Sequence, residues 1–475
     1  MRTLAGAVLG ALLLVAGATA KPNIVLVMAD DQGWGDMAYN GHPRLQTPYF
    51  DEASAAGLRF DRFYAAAPVC SPTRASIMTG RTPNRSKVFK WGYPLRPQET
   101  TVAEVLKTAG YMTAHFGKWH LGSVRSKSPS HPGVHGFDYW FSAPNFYDND
   151  AVLSAQGRAV ATQGESSFVT VDAAIEWMRG HAAADRPFFA VVWFGSPHAP
   201  HRASKKYFDM YADVEDERKR NFYGEVTGMD AAFGKLREAI ADMGVREETV
   251  LWYTSDNGAL PHVGSAGPHR GLKSDVYDGG LLVPSFVEWP AKITAPRKTS
   301  IRAATYDLYP TVLEIAGARA NHQPRLDGVS LLPLIERRMD RREKPMGFWD
   351  TIAKGISTPS LQWMGELLEA QQAGGDLEPH ESSMHAAELP DPPHSRDSFP
   401  GHAAWIDGDW KLHRIEDEAG AVSWELYDLA SDPREEHDVI GEQAALAAQL
   451  RRPFVEWLES VVDSLNGEDY VRAGN

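Results

Sequence analysis

Short apolar runs alternate with stretches of helical period along most of this 475-residue chain, and four of the runs end in titratable side chains. Residues 23–28 (NIVLVM) lead into Asp30 and Asp31, and residues 111–116 (YMTAHF) into Lys118 and His120. Residues 187–194 (PFFAVVWF) lead into His198 and His201, and residues 249–254 (TVLWYT) into Asp256 and Asn257. Runs without polar alternation suit strands covered on both faces, so the pattern predicts an α/β fold: a large mixed, mainly parallel sheet flanked by helices. Among the helices, TTVAEVLKTAGY carries a cap at Thr100 or Thr101, Glu104 in its first turn and a stop at Gly110. Residues 221–243 form a longer amphipathic candidate, and YDLYPTVLEIAGA is capped by Asp307 and stopped by Gly317.

The pattern changes near residue 344. KPMGFWD, HAAWIDGDWKLHRI and VSWELYDLASDP read as strands, the second with an Asp-Gly-Asp turn suited to a hairpin. They predict a smaller C-terminal α+β domain, 344–475, with an antiparallel sheet, packed on a large domain, 21–343. Between these strands residues 351–402 are rich in Pro, Gly, His, Glu and Ser, which predicts a long loop or partly helical insertion.

Residues 1–20 run from Met1 and Arg2 through an apolar core to ATA, the order of a secretory signal peptide, so the chain is expected to be exported. That core is too short to span a bilayer and nothing later approaches 18 consecutive apolar residues, so no transmembrane anchor is expected. Forty-eight Lys and Arg against 62 Asp and Glu leave a net charge of −14, which disfavours nucleic acid and anionic membranes as partners. An anionic substrate would need a local basic cluster.

In an open α/β sheet ligands bind beyond the carboxyl ends of the strands, so four strands ending in reactive groups point to one site. Any one of these pairs alone would be a turn or cap. The single cysteine, Cys70, cannot form an internal disulfide. In CSPTRASIMTG, Pro72 suits a first helical turn, Arg74 follows one turn on and Gly80 is a stop, which places Cys70 at a helix N-terminus. The helix dipole and Arg74 favour an anion there, and a thiolate nucleophile is one reading. A buried small hydrophobe is the other.

These residues carry a resemblance. CSPTR matches the C-x-P-x-R signature of the sulfatase family, in which the cysteine is oxidised after translation to formylglycine, and ASIMTGR, NIVLVMADDQGWGD, GYMTAHFGKWHLG, SPHAPH, TSDNG, GLKSDVYDGG and ELYDLASDPREE extend the likeness over nearly the whole mature chain. Within that family the chain looks most like carbohydrate and aryl sulfatases such as N-acetylgalactosamine 6-sulfatases. The resemblance implies an alkaline phosphatase-like fold and a metal held by Asp30, Asp31, Asp256, Asn257 and an oxygen of modified Cys70. It favours calcium over magnesium, and this all-oxygen ligand set suits a hard cation. It further implies that Arg74, Lys118, His120, His198 and Lys273 bind and activate the sulfate, with His198 or Lys273 protonating the leaving alcohol and His120 assisting release.

The implied partners are a sulfated glycan or another sulfate ester and a formylglycine-generating maturation enzyme, and the implied location is periplasmic or extracellular. Competing readings are a general arylsulfatase, a phosphodiesterase or phosphonate monoester hydrolase, and a silent glycan-binding protein. Outside the site, His380, His385, His394 and His402 read as solvated rather than as a second metal centre. Trp34, Trp91, Trp119 and Trp140 read as core rather than as sugar platforms, and His201 as a residue that shapes the pocket.

Overall fold

The computed structural model describes residues 21–184, 186–380, 382 and 388–470; the segment read as a leader, 1–20, and His385 lie outside the described residues. The main sheet has eleven strands: β1 (Asn23–Ala29), β2 (Leu58–Tyr64), β3 (Met112–Lys118), β4 (Tyr139–Ala143), β5 (Val152–Ala155), β6 (Arg158–Ala161), β7 (Phe188–Trp193), β8 (Thr249–Ser255), β9 (Leu282–Glu288), β10 (Arg297–Thr299) and β11 (Ala303–Ala304). Their order is β10-β2-β9-β8-β1-β7-β3-β4-β5-β6, with β11 beside β2. The central run β8-β1-β7-β3-β4 is parallel, whereas β9 is antiparallel to both its neighbours, so the sheet is mixed and mainly parallel.

Period-two alternation explains why β1 is apolar throughout. Ile24, Leu26 and Met28 enter one core with the helices Cys70–Thr79, Val102–Thr108 and Leu308–Ala316. Val25, Val27 and Ala29 enter the other with Ser166–Ala182 and Glu217–Asp242. Both faces are covered, as a parallel sheet requires. Register then fixes the site: Met28 pairs with both Trp193 and Thr254, and Trp193 with Gly117, so the carboxyl ends of β1, β3, β7 and β8 lie side by side.

Local rules account for several helix ends. Thr101, not Thr100, caps Val102–Thr108 in a reciprocal pair with Glu104, and the helix ends at the left-handed Gly110 (φ +87°). The candidate at 221–243 begins earlier, at Glu217, because the Asp216 side chain accepts from the Arg218 and Lys219 amides. Asp307 corrects the expectation of a cap: its carboxylate accepts from Ala304 N (2.7 Å) and Val329 N (2.8 Å) and pairs with Arg342 at 2.6 Å, so nothing is left for its own helix.

A second sheet, β12 (Met346–Asp350), β13 (Gly401–Asp407), β14 (Trp410–Glu416) and β15 (Val422–Asp428), is antiparallel in chain order, with the expected hairpin turning at Gly408 and Asp409. The helix Ala444–Leu465 packs on it through Phe454 and Leu458 against Trp405. The stretch 351–402 contains a helix, Ser360–Gln372, and its last two residues already belong to β13.

A buried ion pair in the main body, between Arg85 and Asp327, holds that C-terminal helix through hydrogen bonds. Asp327 accepts from Arg85 (2.8 and 3.0 Å), the Thr82 amide (2.7 Å) and the Trp457 indole (2.9 Å), and Arg85 also donates to Ser460 O and Ser464 Oγ. Burial works against the Asp327 carboxylate, but Arg85 prevails and holds its pKa below the usual range. Asp327→Ala strands a buried guanidinium, so an urea titration is expected to show a loss of about 3–5 kcal/mol, whereas a loss under about 1 kcal/mol would contradict the role. Because the folded pKa is depressed, this stabilisation is present above the ordinary carboxylate range and is lost as pH falls through and below it.

Candidate active site

Beyond β1 the chain turns sharply. Asp31 sits at φ +71°, in the left-handed region that costs a non-glycine residue free energy and persists where its surroundings over-determine it. Its amide donates to Asp256 Oδ1 (3.0 Å), and Asn257 Nδ2 donates to Asp31 Oδ1 (2.9 Å), which locks the ends of β1 and β8 together. Asp30, Asp31, Asp256 and Asn257 are all at 0% exposure. The candidate ligand atoms of Asp30, Cys70 and Asp256 lie within 4.8 Å of one another, as do those of Asp30, Asp31 and His198.

Three cations face the three carboxylates. Lys118 Nζ lies 2.6 Å from Asp30 Oδ2, and Lys273 Nζ 2.6 Å from both oxygens of Asp31. Arg74 donates through Nε (3.0 Å) and Nη2 (2.6 Å) to Asp256 Oδ2 and through Nη1 to Lys118 O (2.7 Å). Burial opposes ionisation of Asp31, yet Lys273, His198 and Lys118 outweigh it and hold its pKa below the usual carboxylate range. Burial together with the Asp30 charge pushes Asp256 up to about 6. Two acceptors lack a hydrogen bond: Asn257 Oδ1 is buried without a partner, and Asp30 Oδ1 has only the Arg74 guanidinium, at 3.5 Å. Orphaned oxygens among carboxylates are what a hard cation satisfies, so this donor set fits a divalent metal.

Cys70 opens the helix Cys70–Thr79, with Gly80 left-handed at its end (φ +72°), as the motif predicts. Of the two readings of the unmodified thiol, its surroundings favour the buried hydrophobe: burial, with Asp256 and Asp30 adding to it, raises the thiol pKa despite Lys118 and Lys273. Helix dipole and arginine are legible in sequence, whereas desolvation is not, and here desolvation wins.

His198 Nδ1 lies 2.5 Å from Ala199 O, so Nδ1 carries the proton, and its Nε2 is 3.6 Å from Asp31 Oδ2. Its ring stacks on Phe146 at 5.3 Å. His120 (φ +54°) has both ring nitrogens buried without a partner. Cys70, His120, His198 and Lys273 line one cavity of about 430 Å³, together with Trp91, Asn145 and Ser357–Pro359.

All ten predicted site residues thus meet at the carboxyl edge of the sheet. His201 does not line the cavity: it is buried against Glu225, at 3.3 Å. Trp119 and Trp140 are core, and the Trp34 indole donates to Asp61 O, but Trp91 is 43% exposed at the cavity. Nor is His402 solvated: it lies in β13 with Nε2 2.7 Å from His413 Nδ1, whose Nε2 meets Glu435 at 2.8 Å. His380 stacks on Trp363, and among the described residues none of these histidines joins a metal-ligand cluster. Asn145 and Ser357–Pro359 are the cavity residues that sequence reasoning missed. Only the Pro- and Gly-rich composition of 351–402 hinted that this stretch does more than connect.

A sheet edge that gathers buried carboxylates, a candidate nucleophile and three cations around a cavity defines a hydrolase of anionic esters, with a site suited to a metal ion. The sulfatase family model matches residues 22–318. N-acetylgalactosamine-6-sulfatase of Canis lupus familiaris is 34% identical over 364 residues, 67% of each chain. Arylsulfatase A of Homo sapiens is 34% identical over 365 residues, 68% of this chain and 70% of that one. The structure of Ps i-CgsB in complex with k-i-k-neocarrahexaose superposes with a TM-score of 0.76 at 22% identity, covering 92% of this chain and 93% of that one. The chain belongs to the sulfatase family, with its alkaline phosphatase-like fold, and is a sulfuric ester hydrolase. The phosphoryl-hydrolase and silent-binder readings are not favoured.

Proposed function

We propose that this protein removes sulfate from a sulfated carbohydrate, using formylglycine made from Cys70 and one calcium ion held by Asp30, Asp31, Asp256, Asn257 and modified residue 70. The observation that carries the reading is the meeting of Cys70 with the carboxylates of Asp30 and Asp256 inside 4.8 Å, at the floor of a cavity lined by His120, His198 and Lys273. A carbohydrate is favoured because one relative at 34% identity is an N-acetylgalactosamine-6-sulfatase, and because an exposed tryptophan borders the cavity.

As a hydrated aldehyde, residue 70 supplies one hydroxyl to attack sulfur and a second whose deprotonation expels sulfate and restores the aldehyde, so no water need attack sulfur. A bound dication supplies neutralising charge for the sulfate oxygens, and calcium suits the hard oxygen donors better than zinc would. Arg74 and Lys118, both fully buried, hold fixed positive charge beside the reacting group. His120, with no protein partner on either nitrogen, is available to accept a proton as sulfate leaves. Protonation of the leaving oxygen falls to His198 or Lys273, the two that retain some solvent exposure: Lys273 is kept charged by Asp31, whereas burial lowers the His198 pKa to about 3, so His198 donates only after its Nε2 has taken up a proton.

His198→Ala is accordingly expected to lower kcat for a sugar sulfate by about 10²–10³-fold and to affect 4-nitrophenyl sulfate less, since nitrophenolate leaves without a proton. Equal losses on the two substrates would remove the proton-donor role. The activity itself is tested by comparing 4-nitrophenyl sulfate with 4-nitrophenyl phosphate on converted enzyme: sulfate is expected to win by about 10²-fold or more on kcat/KM, and a preference for phosphate overturns the reading.

Residues Cys70–Thr79 are buried throughout, so a maturation enzyme must reach CSPTR before this segment folds. The leader-like residues 1–20 support a periplasmic or extracellular location. No helix among the described residues is long and apolar enough to cross a membrane.

A further inference from the structure

The segment 355–362 crosses in front of the site and is fastened there. Ile356 N donates to Trp91 O (2.9 Å), Asn145 Nδ2 donates to Thr358 O (3.1 Å), and Gly92 N donates to Ser71 Oγ (2.9 Å) beside Cys70. Both glycines at the crossing are needed. A Cβ on Gly355 would lie 1.9 Å from the Trp91 indole, and one on Gly92, at φ +83°, 2.0 Å from Ile356 O. The strap and the Trp91 loop therefore form one built wall of the cavity that holds Cys70, rather than a passing connection.

That wall carries groups the catalytic step does not use. Trp91 keeps 43% of its surface exposed next to the reactive groups, and Asn145, which also lines the cavity, spends Nδ2 on the strap and buries its Oδ1. A second cavity of about 390 Å³ shares Asn145, His198, Thr358 and Pro359 with the first and continues along Phe146 to Leu361, which is 52% exposed. Apolar faces beside the polar groups of the site match a pyranose, whose C–H face packs on aromatic surface.

We propose that the Trp91 loop and the 355–362 strap form a two-ring carbohydrate site: the sulfated ring stacks on Trp91 against the strap that Asn145 holds, and the ring linked to it occupies the cavity along Phe146 and Leu361. The inference rests on the sulfatase reading and assigns its substrate as a sulfated di- or oligosaccharide.

The test titrates full-length Cys70→Ala, alone and combined with Trp91→Ala or Trp91→Phe, with a panel of sulfated hexose, hexosamine and uronate mono- and disaccharides that includes N-acetylgalactosamine 6-sulfate. At least one disaccharide is expected to bind ten times or more tighter than its sulfated monosaccharide, to lose at least tenfold in affinity with Trp91→Ala, and to stay within threefold with Trp91→Phe. In converted enzyme, Trp91→Ala and Asn145→Ala should each lower the ratio of kcat/KM for that saccharide to kcat/KM for 4-nitrophenyl sulfate by tenfold or more. No binding by any panel member, or affinity unmoved by Trp91→Ala, overturns the site. Failure of the sulfatase reading looks different: converted wild-type protein would cleave neither the saccharides nor the aryl sulfate, whatever it binds.

Discussion

Cys70→Ala is expected to abolish sulfate ester hydrolysis, lowering kcat by about 10⁴-fold or more, because it removes the covalent nucleophile rather than a helper. The side chain is small and 2% exposed, so the fold should survive, and an unchanged circular dichroism spectrum separates chemistry from misfolding. Cys70→Ser sharpens the argument. Its single hydroxyl can attack sulfur, but the product is a serine sulfate with no second hydroxyl to expel the group. Turnover should stop after one event, with sulfate retained on the tryptic peptide Phe63–Arg74. Sustained turnover by either variant would place the nucleophile elsewhere.

Stripping divalent metal is the second large effect. Exhaustive chelation is expected to lower kcat/KM by about 10²-fold or more, and calcium to restore it more fully than magnesium. The expectation comes from Asp30 Oδ1 and Asn257 Oδ1, buried acceptors that make no hydrogen bond, among three carboxylates at 0% exposure. Magnesium demands near-octahedral geometry and keeps several waters, which a site this dry does not favour. Asn257→Ala should raise the calcium concentration needed for half-restoration about tenfold or more. It removes a neutral donor and leaves the buried charges balanced. Full activity in chelator, with no metal found by elemental analysis, would contradict the assignment.

The parts of this picture legible in sequence share one cause. β1, β3, β7 and β8 are buried on both faces, so their apolar runs stand out, and each ends where the chemistry begins. Cys70, Arg74 and Gly80 were equally plain, because a proline in the first turn and a glycine at the stop are local signals. What escaped depends on distant partners. Asp307 looks like a cap until Arg342 takes its carboxylate, and His402 looks like a loop residue until β13 pairs it with β14. The thiol of Cys70 looks activated until its burial is known. The strap residues 355–359, ahead of the helix Ser360–Gln372, have no periodicity, and their meaning comes from the Trp91 loop far away in the chain.

Mass spectrometry of the peptide Phe63–Arg74, from protein made with a maturation enzyme and assayed in the same preparations, tests the central claim most directly. CHO should replace CH₂SH at residue 70, and turnover should rise in proportion to the converted fraction. Full turnover by protein whose Cys70 is still a thiol would contradict it.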